Sequence, residues 1–326
     1  MNNPSPFASV IIPSYNGMAH LPVCLASLRA QTYGSFEIIV VDNASTDGSR
    51  DYVLREFPGV RLVSLPRNRV FAGAVNAGID VARGEIIVLL NNDTEADPAW
   101  LSELLSALCA DPQAGMAASK MRLYDRRDVL HNAGDGYGRD GMPLNRGVWQ
   151  VDRGQFDGER YVFAPCGGAA AYRRVMLDQV GLFDEDLVAY CEDVDLGWRG
   201  QLAGWRCVYA PRAIVYHKLS ATGGGELASY YVGRNVTWVI AKDVPSGLLK
   251  KYWLRMAMAQ FRVAWDALKA WRGRAARARL HGQLDGLLGL RRVLVKRKAI
   301  QAQKHVGDAY LEGLLADRGQ AGNSQC

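Results

Sequence analysis

The first third of the chain alternates short apolar runs with longer stretches in which apolar residues recur at helical spacing. The short runs are rich in β-branched residues and predict strands at 9–13, 36–41, 60–65 and 85–90. The longer stretches predict helices near 19–30, 48–56, 73–82 and 98–110. Runs such as IIVV and IIVLL are apolar on both faces, as in parallel strands that helices cover on both sides. The pattern therefore predicts an α/β fold with a mostly parallel, Rossmann-like central sheet.

The second half of the chain has a less regular pattern. Residues 125–158 are rich in Gly, Asp and Arg, which predicts a mobile loop or hairpin. Strands are then predicted in YVFAP, CGGAAAY and RCVYAPRAIVYH, and helices from Arg174 and over 192–202. After the glycines at 223–225 the chain is predicted to be helical.

Charge separates the C-terminal part from the rest of the chain. Residues 250–304 contain 15 Lys or Arg and two acidic residues, a net charge of +13, whereas the whole chain carries +6. This asymmetry predicts two regions with different tasks. We expect a catalytic domain over 1–240, with a donor-binding half over about 1–120 and an acceptor-binding half over about 121–240, and a helical, basic C-terminal extension over 241–326.

The basic extension also contains aromatic residues. Trp253, Phe261 and Trp265 recur at helical spacing between basic residues, which is typical of helices that lie on an anionic membrane surface. Residues 248–304 are therefore a candidate membrane-binding segment. The alternatives are that this stripe packs on the catalytic domain or on a second copy of the chain in a homodimer. Nucleic acid is not the expected partner.

Composition excludes several protein classes. With 49% hydrophobic and 22% charged residues, the chain is typical of globular proteins. Its six cysteines contain no CxxC pair, which argues against a zinc site and a disulfide framework. Because we find neither a membrane-spanning apolar run nor a signal-peptide pattern, we expect a cytoplasmic protein. A Walker A loop and a dinucleotide fingerprint are also absent from the sequence.

Polar and aromatic residues follow the first predicted strand. In an open α/β sheet, ligands bind beyond the carboxyl ends of the strands. Pro13 ends the strand, and Tyr15 and Asn16 offer a stacking face and an amide to a nucleobase. The alternative is an ordinary strand-to-helix turn.

The second predicted strand ends with Asp42, which Asn43 follows. A carboxylate that leaves a buried strand needs water or a ligand, and Asp42 can accept the N3–H of uracil or thymine. The alternative is that Asp42 caps the next helix. Since Asp47 is better placed for capping, Asp42 is a candidate ligand-binding residue.

Further acidic residues follow later elements. Asp93 ends the run IIVLL and is an oxygen ligand suited to Mg²⁺ or Mn²⁺, although it needs a partner to hold a metal. Glu192, Asp193 and Asp195 open a predicted helix, where neighbouring carboxylates raise each other's pKa, as suits a general base. Asp193 and Asp195 should face different sides of that helix. The structural alternative for the three acidic residues is that the helix dipole favours them at a helix start, and the alternative for Asp93 is an ordinary loop turn before a helix.

Over residues 8–217 the chain resembles the family 2 glycosyltransferases of the GT-A fold, especially the rhamnosyltransferase-like branch. The matching pieces are SVIIPSYNG, EIIVVDNASTDGS, PRNRVFAGAVNAGI, GEIIVLLNNDT, CGGAAAYRR, VGLFDEDLVAYCEDVDLGWR and AIVYH. They occur in the family's order and cover about two-thirds of the chain. The resemblance implies a nucleotide-sugar donor, a saccharide or lipid-linked acceptor, and a divalent metal, Mn²⁺ or Mg²⁺.

The resemblance also implies roles for individual residues. The implied donor-binding residues are Pro13, Tyr15, Asn16, Asp42, Asn43, Asn68, Asn76, Asn91, Asn92 and Asp93. The implied catalytic pair is Glu192 and Asp193, with Asp193 as the base, and the implied acceptor-side residues are Gly167, Gly168 and Trp198. His217 matches a histidine that completes the metal site with Asp93 in some relatives. This chain departs from the family at Val70, where Gly is frequent, and at Asn91, which leaves the D-x-D position with one carboxylate.

Three functions are therefore in competition. The first is an inverting glycosyltransferase that uses a pyrimidine donor, dTDP-rhamnose or a UDP-sugar, in cell-surface polysaccharide synthesis. The second is a sugar nucleotidyltransferase, although the Gly-rich, basic phosphate loop typical of that class is missing from SYNGMAH. The third is a non-catalytic nucleotide- or membrane-binding protein, which the acidic residues at 42, 93, 192 and 193 disfavour.

Overall fold

A central mixed sheet organises the computed structural model, which describes residues 7–218 and 225–317. Its strands, together with those of a smaller sheet, are β1 (Ala8–Ser14), β2 (Phe36–Asp42), β3 (Arg61–Ser64), β4 (Ile86–Leu90), β5 (Thr94–Ala96), β6 (Ala114–Leu123), β7 (Leu130–Asn132), β8 (Asp135–Gly138), β9 (Pro143–Asn145), β10 (Tyr161–Val162), β11 (Ala169–Arg173), β12 (Arg206–His217) and β13 (Leu315–Ala316). Within the described ranges the central sheet runs in the order β10-β12-β6-β11-β4-β1-β2-β3, with β5 and β7 at its side.

Parallel pairing dominates the first half of this sheet. β1 pairs in parallel with β2 and β4, and β2 pairs in parallel with β3. The antiparallel strand β11 joins β4 to β6, which is parallel to β12. The predicted α/β class with a mostly parallel sheet is thus confirmed. The loops after β1, β2 and β4 lie at the same sheet edge, because parallel strands point their carboxyl ends the same way.

Helices cover both faces of the sheet and form the C-terminal part. They are α1 (Leu21–Arg29), α2 (Ser49–Glu56), α3 (Val70–Val81), α4 (Trp100–Cys109), α5 (Arg174–Val180), α6 (Glu192–Leu202), α7 (Gly225–Asp243), α8 (Ser246–Lys269), α9 (Arg274–Leu288), α10 (Leu290–Ala302) and α11 (Asp308–Leu314). Most bounds lie within two residues of the prediction. Helix α3 begins three residues earlier than predicted, since Oδ1 of Asn68 accepts a hydrogen bond from the Val70 N–H (2.8 Å) at its start.

The segment predicted as a loop or hairpin does contain a hairpin. β8 and β9 pair in antiparallel fashion, and β13, near the C-terminus, adds to β8 as a parallel strand. Tyr137 of β8 is fully buried against Phe163 and Trp198, with ring centroids 5.4 and 5.0 Å away. The hairpin is therefore held in the core of the second half rather than projecting from it.

The C-terminal helices pack on one another and on the body. Gly233, Gly282 and Gly286 allow the backbones of α7 and α9 to approach closely, because a Cβ at Gly282 would overlap the carbonyl of Tyr230. Helix α7 crosses the predicted boundary at residue 240, and the division into two domains stays a prediction. No helix among the described residues combines the length and the apolar run that crossing a membrane requires. The predicted glycines 223–224 and Cys326 lie outside the described residues.

A buried ion-pair network joins α7 to α6. Lys242 of α7 is 1% exposed and pairs with Asp195 of α6 (2.6 Å) and with Asp184. Asp195 also pairs with Arg199, 2.7 Å away, one turn further along α6. Asp195 therefore faces away from the side of α6 that Asp193 occupies, as the helical spacing predicted.

Candidate functional site

The loops after β1 and β2 are tied together at the carboxyl edge of the sheet. Oδ1 of Asn16 accepts a hydrogen bond from the Thr46 N–H (2.9 Å), and the Asn16 N–H donates to Oγ of Ser45 (2.9 Å). Pro13 is half-buried in β1, whereas the ring of Tyr15 is 49% exposed at this edge. The arrangement leaves an aromatic face open to a planar ligand.

The sequence analysis left open whether Asp42 or Asp47 holds the start of helix α2. Oδ1 of Asp47 accepts from the Ser49 N–H (3.1 Å) at the start of α2, and its Oδ2 accepts from the Met18 N–H (2.8 Å). Asp42 is 4% exposed, and its Oδ1 accepts from the Ser45 N–H (3.2 Å). The expectation that Asp47 holds the helix entry is confirmed.

Asn43 fixes the loop before α3. Its Nδ2 donates to Oδ1 of Asn68 and to the Val70 carbonyl, both at 2.9 Å, and its Oδ1 accepts from the Arg69 N–H (2.7 Å). These bonds hold Val70 at a φ of 58°, a left-handed conformation that β-branched residues rarely adopt. The family's frequent Gly at this position thus has a physical reason, and Val70 stores strain beside the predicted donor site.

We expect Val70→Gly to raise the free energy of unfolding by about 1 kcal/mol, because Gly adopts a positive φ without steric cost. Denaturant unfolding of the two proteins would measure the difference. Val175→Gly is the matched control: Val175 is exposed in helix α5, and Gly there should lower stability by about 0.3–0.5 kcal/mol. A loss of stability in both variants would contradict the strain at Val70.

The segment after β4 is connected to both halves of the molecule. The Asn91 N–H donates to the Gly168 carbonyl (2.9 Å), and the buried Asn92 donates through Nδ2 to Oγ of Ser14 (3.0 Å). Asp93 follows and is 2% exposed. Asn91 and Asn92 therefore position the loop that carries Asp93.

Asp93 and His217 lie together, although 124 positions separate them. Oδ1 of Asp93 is 3.2 Å from Nε2 of His217, and the Asp93 carbonyl accepts from the Lys218 N–H (3.0 Å). A carboxylate oxygen and an imidazole nitrogen are ligands that Mn²⁺ accepts, and Mg²⁺ takes the carboxylate. The donor set therefore fits a divalent cation, and His217 lies where the predicted metal site requires a second ligand.

His131 of β7 adds to this pair and was missed by the sequence analysis. Its ring centroid is 4.6 Å from that of His217. Burial, together with the neighbouring His217, lowers the pKa of His131 to about 3. His131 is consequently neutral near pH 7 and adds no positive charge beside the ring of His217.

Asp193 opens α6 and faces the glycine pair. Its Oδ2 accepts from the Gly167 N–H (2.9 Å), and its Oδ1 accepts from the Val194 N–H (2.8 Å). Burial raises the pKa of Asp193 above its ordinary value, while these backbone bonds oppose the rise. Burial and the charge of Asp193 raise the pKa of the neighbouring Glu192 to about 8. Near pH 7 the protonated form of Glu192 is therefore favoured, beside the carboxyl of Asp193.

Asp135 of β8 is a second residue that the sequence analysis missed. Asp135, Cys166 and Asp193 bring possible metal-ligand atoms within 4.8 Å of one another. Burial and the charge of Asp193 raise the pKa of Asp135 well above its ordinary range, and burial likewise raises the pKa of the Cys166 thiol. Since metal ligands bind in their deprotonated forms, these raised pKa values make any cation binding by this cluster dependent on pH.

Three residues with left-handed backbone conformations precede the catalytic candidates. The φ angles of Val188, Tyr190 and Cys191 are 68°, 67° and 66°. Asn235 of α7, fully buried, donates through Nδ2 to the carbonyls of Leu187 (2.8 Å), Ala189 (2.9 Å) and Tyr190 (2.7 Å). Strained backbone persists where surrounding structure holds it, and here α7 holds the turn that presents Asp193.

Two predicted site residues have other uses in the structure. Trp198 is fully buried, with its ring centroid 4.9 Å from that of Phe163, so its prediction as an acceptor-side residue is wrong. The side-chain amide of Asn76 is hydrogen-bonded to residues in the second half of the chain. Its Nδ2 donates to the Phe183 carbonyl (2.9 Å) and to Glu185, and its Oδ1 accepts from the Phe183 N–H (3.1 Å). Its predicted donor contact would require these bonds to break.

Known proteins share the sequence pattern and the fold. The chain is 30% identical, over 267 residues, to the N-acetylglucosaminyl-diphospho-decaprenol L-rhamnosyltransferase of Mycobacterium tuberculosis, covering 73% of this chain and 85% of that relative. The solved structure of S. aureus TarS 1-349 in complex with UDP-GlcNAc superposes with a TM-score of 0.59 at 17% identity, covering 94% and 92% of the two chains.

A second solved structure has the same fold, and a family model matches the sequence. The mannosyltransferase PcManGT from Pyrobaculum calidifontis, in complex with GDP-Man and Mn²⁺, superposes with a TM-score of 0.56 at 20% identity, covering 92% of this chain and 86% of that one. These likenesses show a GT-A-like fold. Residues 9–181 match the family described as Glycosyl transferase family 2. Because this match spans more than half of the chain, the protein belongs to glycosyltransferase family 2.

Proposed function

We propose that this glycosyltransferase inverts the anomeric centre of a sugar that it transfers from a pyrimidine nucleoside diphosphate to a hydroxyl group. One observation carries the proposal. Through Gly167 and Gly168, the partly buried carboxylate of Asp193 is hydrogen-bonded into the same site as Asn91, two residues before the Asp93–His217 pair. A base for the acceptor and a cation site for the donor phosphates are thereby brought to one sheet edge.

On the donor side, the exposed ring of Tyr15 offers a stacking surface to the base. The carboxylate of Asp42 offers an acceptor to the N3–H of uracil or thymine. Asp93 and His217 would hold Mn²⁺ or Mg²⁺, which when bound supplies positive charge to the departing diphosphate. Asn43 and Asn68 keep the loop before α3 in place beside this pocket.

On the acceptor side, Asp193 takes the proton of the attacking hydroxyl. The oxygen forms a bond to the anomeric carbon on one face, and the bond to the diphosphate breaks on the other, so the configuration inverts. Glu192, whose pKa is raised to about 8, favours its protonated form near pH 7. The relative from M. tuberculosis is named for a rhamnosyl donor and a diphospho-decaprenol acceptor. We propose a dTDP-rhamnose or UDP-sugar donor and a saccharide or lipid-linked acceptor in cell-surface polysaccharide synthesis, at the inner face of the membrane.

In titration calorimetry with Mn²⁺ we expect UDP and dTDP to bind about tenfold or more tightly than GDP. A hydrogen bond from the base N3–H to the charged carboxylate of Asp42 would contribute about 1.5–3 kcal/mol. Asp42→Ala should therefore weaken pyrimidine binding by about tenfold or more. The exposed Asp51 of α2 supplies the matched control, Asp51→Ala, which should bind like the parent.

The same titrations without Mn²⁺ test the metal site. Nucleotide binding should weaken when the metal is removed, and His217→Ala should abolish that difference. GDP binding more tightly than both pyrimidine nucleotides would reverse the choice of base. Equal binding with and without Mn²⁺ in the parent would remove the metal from the proposal.

The two other functions are less well supported. A sugar nucleotidyltransferase would need phosphate-binding groups after β1, where Tyr15 and Asn16 stand instead. A non-catalytic binding protein has no use for a partly buried Asp193 whose two oxygens are held by backbone N–H groups. Nucleotide-sugar hydrolysis with and without Mn²⁺ would separate both from a glycosyltransferase.

A further inference from the structure

Helix α8 carries two apolar stripes on opposite sides. The inner stripe is buried and contains Leu248, Tyr252, Met256, Ala259 and Ala267, of which the first three belong to the same core as Tyr137 and Trp198. The outer stripe is 50–70% exposed, and it contains Trp253, Leu254, Met258, Phe261, Trp265 and Leu268. Met256 thus faces inward, and Trp253 faces outward. Packing on the body therefore accounts for the inner stripe and leaves the outer stripe uncovered.

The outer stripe is large, ordered and aromatic. The rings of Phe261 and Trp265 stack with their centroids 6.4 Å apart, and Trp271, just beyond the helix, is 60% exposed. Exposed apolar patches of this kind mark sites of protein or membrane contact. Aromatic side chains on one face of a helix are enriched where that helix meets a lipid headgroup region.

Basic residues border the outer stripe. Lys250 precedes Leu254 by four residues, and Arg262 lies between Met258 and Trp265, so both border the same exposed face. Lys250, Arg262 and Arg272 are exposed and make no ion pair with any residue in the described ranges. The outer stripe thus combines aromatic area with positive charge that the protein does not neutralise.

Other basic residues of the segment pair with the catalytic body instead. On α10, Arg292 pairs with Asp186, and Lys296 pairs with Asp184 (2.5 Å) and Asp186 (2.8 Å). These residues hold the C-terminal helices on the catalytic body. The net charge of +13 over 250–304 therefore has two uses, and α8 retains unpaired charge for an external partner.

We propose that the outer stripe of α8 docks on an anionic lipid bilayer. Its aromatic rings would enter the headgroup region, and Lys250, Arg262 and Arg272 would lie near the lipid phosphates. A second copy of the chain is a poorer occupant. A two-fold pairing of this face with itself would bring the same unpaired basic residues together, and like charges oppose association.

The hairpin β8–β9 places this surface near the proposed acceptor side. A Cβ at Gly141, in the hairpin turn, would lie 3.2 Å from Cγ of Met256 on the inner stripe. Asp135 begins the same hairpin beside Asp193, six residues earlier, which is about 20 Å of extended chain at most. Docking would therefore bring Asp193 within reach of a lipid-linked acceptor. This last step rests on the proposed function, whereas the docking itself needs neither donor nor acceptor.

Co-sedimentation with vesicles tests the proposal without any sugar substrate. The full chain is mixed with phosphatidylglycerol-containing or pure phosphatidylcholine vesicles, at low and at high salt. We expect binding to the anionic vesicles at low salt, and weaker binding at high salt or to neutral vesicles. The double variant Phe261→Ser, Trp265→Ser should lower the bound-to-free ratio by about tenfold or more. Lys250→Ser with Arg262→Ser should lower it by about fivefold for each charge.

Leu54→Ser with Val175→Ser is the matched control, because both residues are as exposed as the outer stripe but lie on α2 and α5. It should bind vesicles like the parent, and circular dichroism should show all variants folded. Absence of lipid binding at low salt overturns the proposal. So does an equal loss in the control variant, or a dimer in sedimentation velocity that the Phe261/Trp265 variant dissociates without any effect on vesicles. Donor titration of the same samples reports separately on the proposed function.

Discussion

Asp193→Asn is expected to lower turnover by about 10²–10⁴-fold, the usual contribution of a general base, while donor binding survives. The amide keeps the size of the side chain and can still accept from the Gly167 N–H, but it cannot take a proton. Initial rates with a nucleotide-sugar donor would measure the loss, and calorimetry with the nucleotide would measure binding. Asp178→Asn, at an exposed position of α5, should leave both unchanged. Near-normal turnover in Asp193→Asn would exclude Asp193 as the base.

The pH dependence of the parent enzyme follows from the same site. A base acts in its ionised form, so turnover should be present above the pKa of Asp193 and lost as the pH falls through it. Because burial raises that pKa above its ordinary value, the acid limb of the rate profile should lie at a higher pH than for an ordinary aspartate. The apparent value belongs to the coupled carboxyls Glu192, Asp193 and Asp135 together. An acid limb at or below the ordinary Asp value would contradict the buried site.

The central sheet was predictable because each of its first four strands has a local sequence pattern. Four apolar runs with turn residues between them gave β1 to β4 nearly at their observed bounds, and their parallel order brought Asp42 and Asp93 to one edge. The small sheet was not predictable in this way. β8 pairs with β13, about 180 positions later, and no local pattern reports a pairing between such distant segments.

Site residues that directly follow a strand could be predicted from the sequence. Site residues in irregular segments could not. Asp135 and His131 lie in a segment without periodicity, so their approach to Asp193 and His217 depends on long-range packing. Trp198 shows the opposite error. It lies near Asp193 in the sequence, but five residues along a helix turn the side chain by about 140°, into the core. Proximity in a motif therefore predicts a shared element, whereas the rotation of the helix decides which side chains share a site.

Lys242→Met is expected to lower the free energy of unfolding by about 3–5 kcal/mol, because it removes one partner from a buried network. Burial alone would lower the pKa of Lys242, but the carboxylates of Asp195, Asp243 and Asp184 raise it above its ordinary value. The lysine is therefore charged, and its loss leaves buried carboxylates with less compensation. Chemical denaturation at pH 7 would measure the change.

Lys251→Met provides the control for this prediction, at a distance of nine residues along the chain. Lys251 pairs with Glu312 at 2.7 Å, much as Lys242 pairs with Asp195, but its side chain is 57% exposed. Water screens the exposed pair, so its removal should change the stability very little. If Lys242→Met destabilised the protein no more than Lys251→Met, the network between α6 and α7 would not be what holds the C-terminal helices to the helix that carries Asp193.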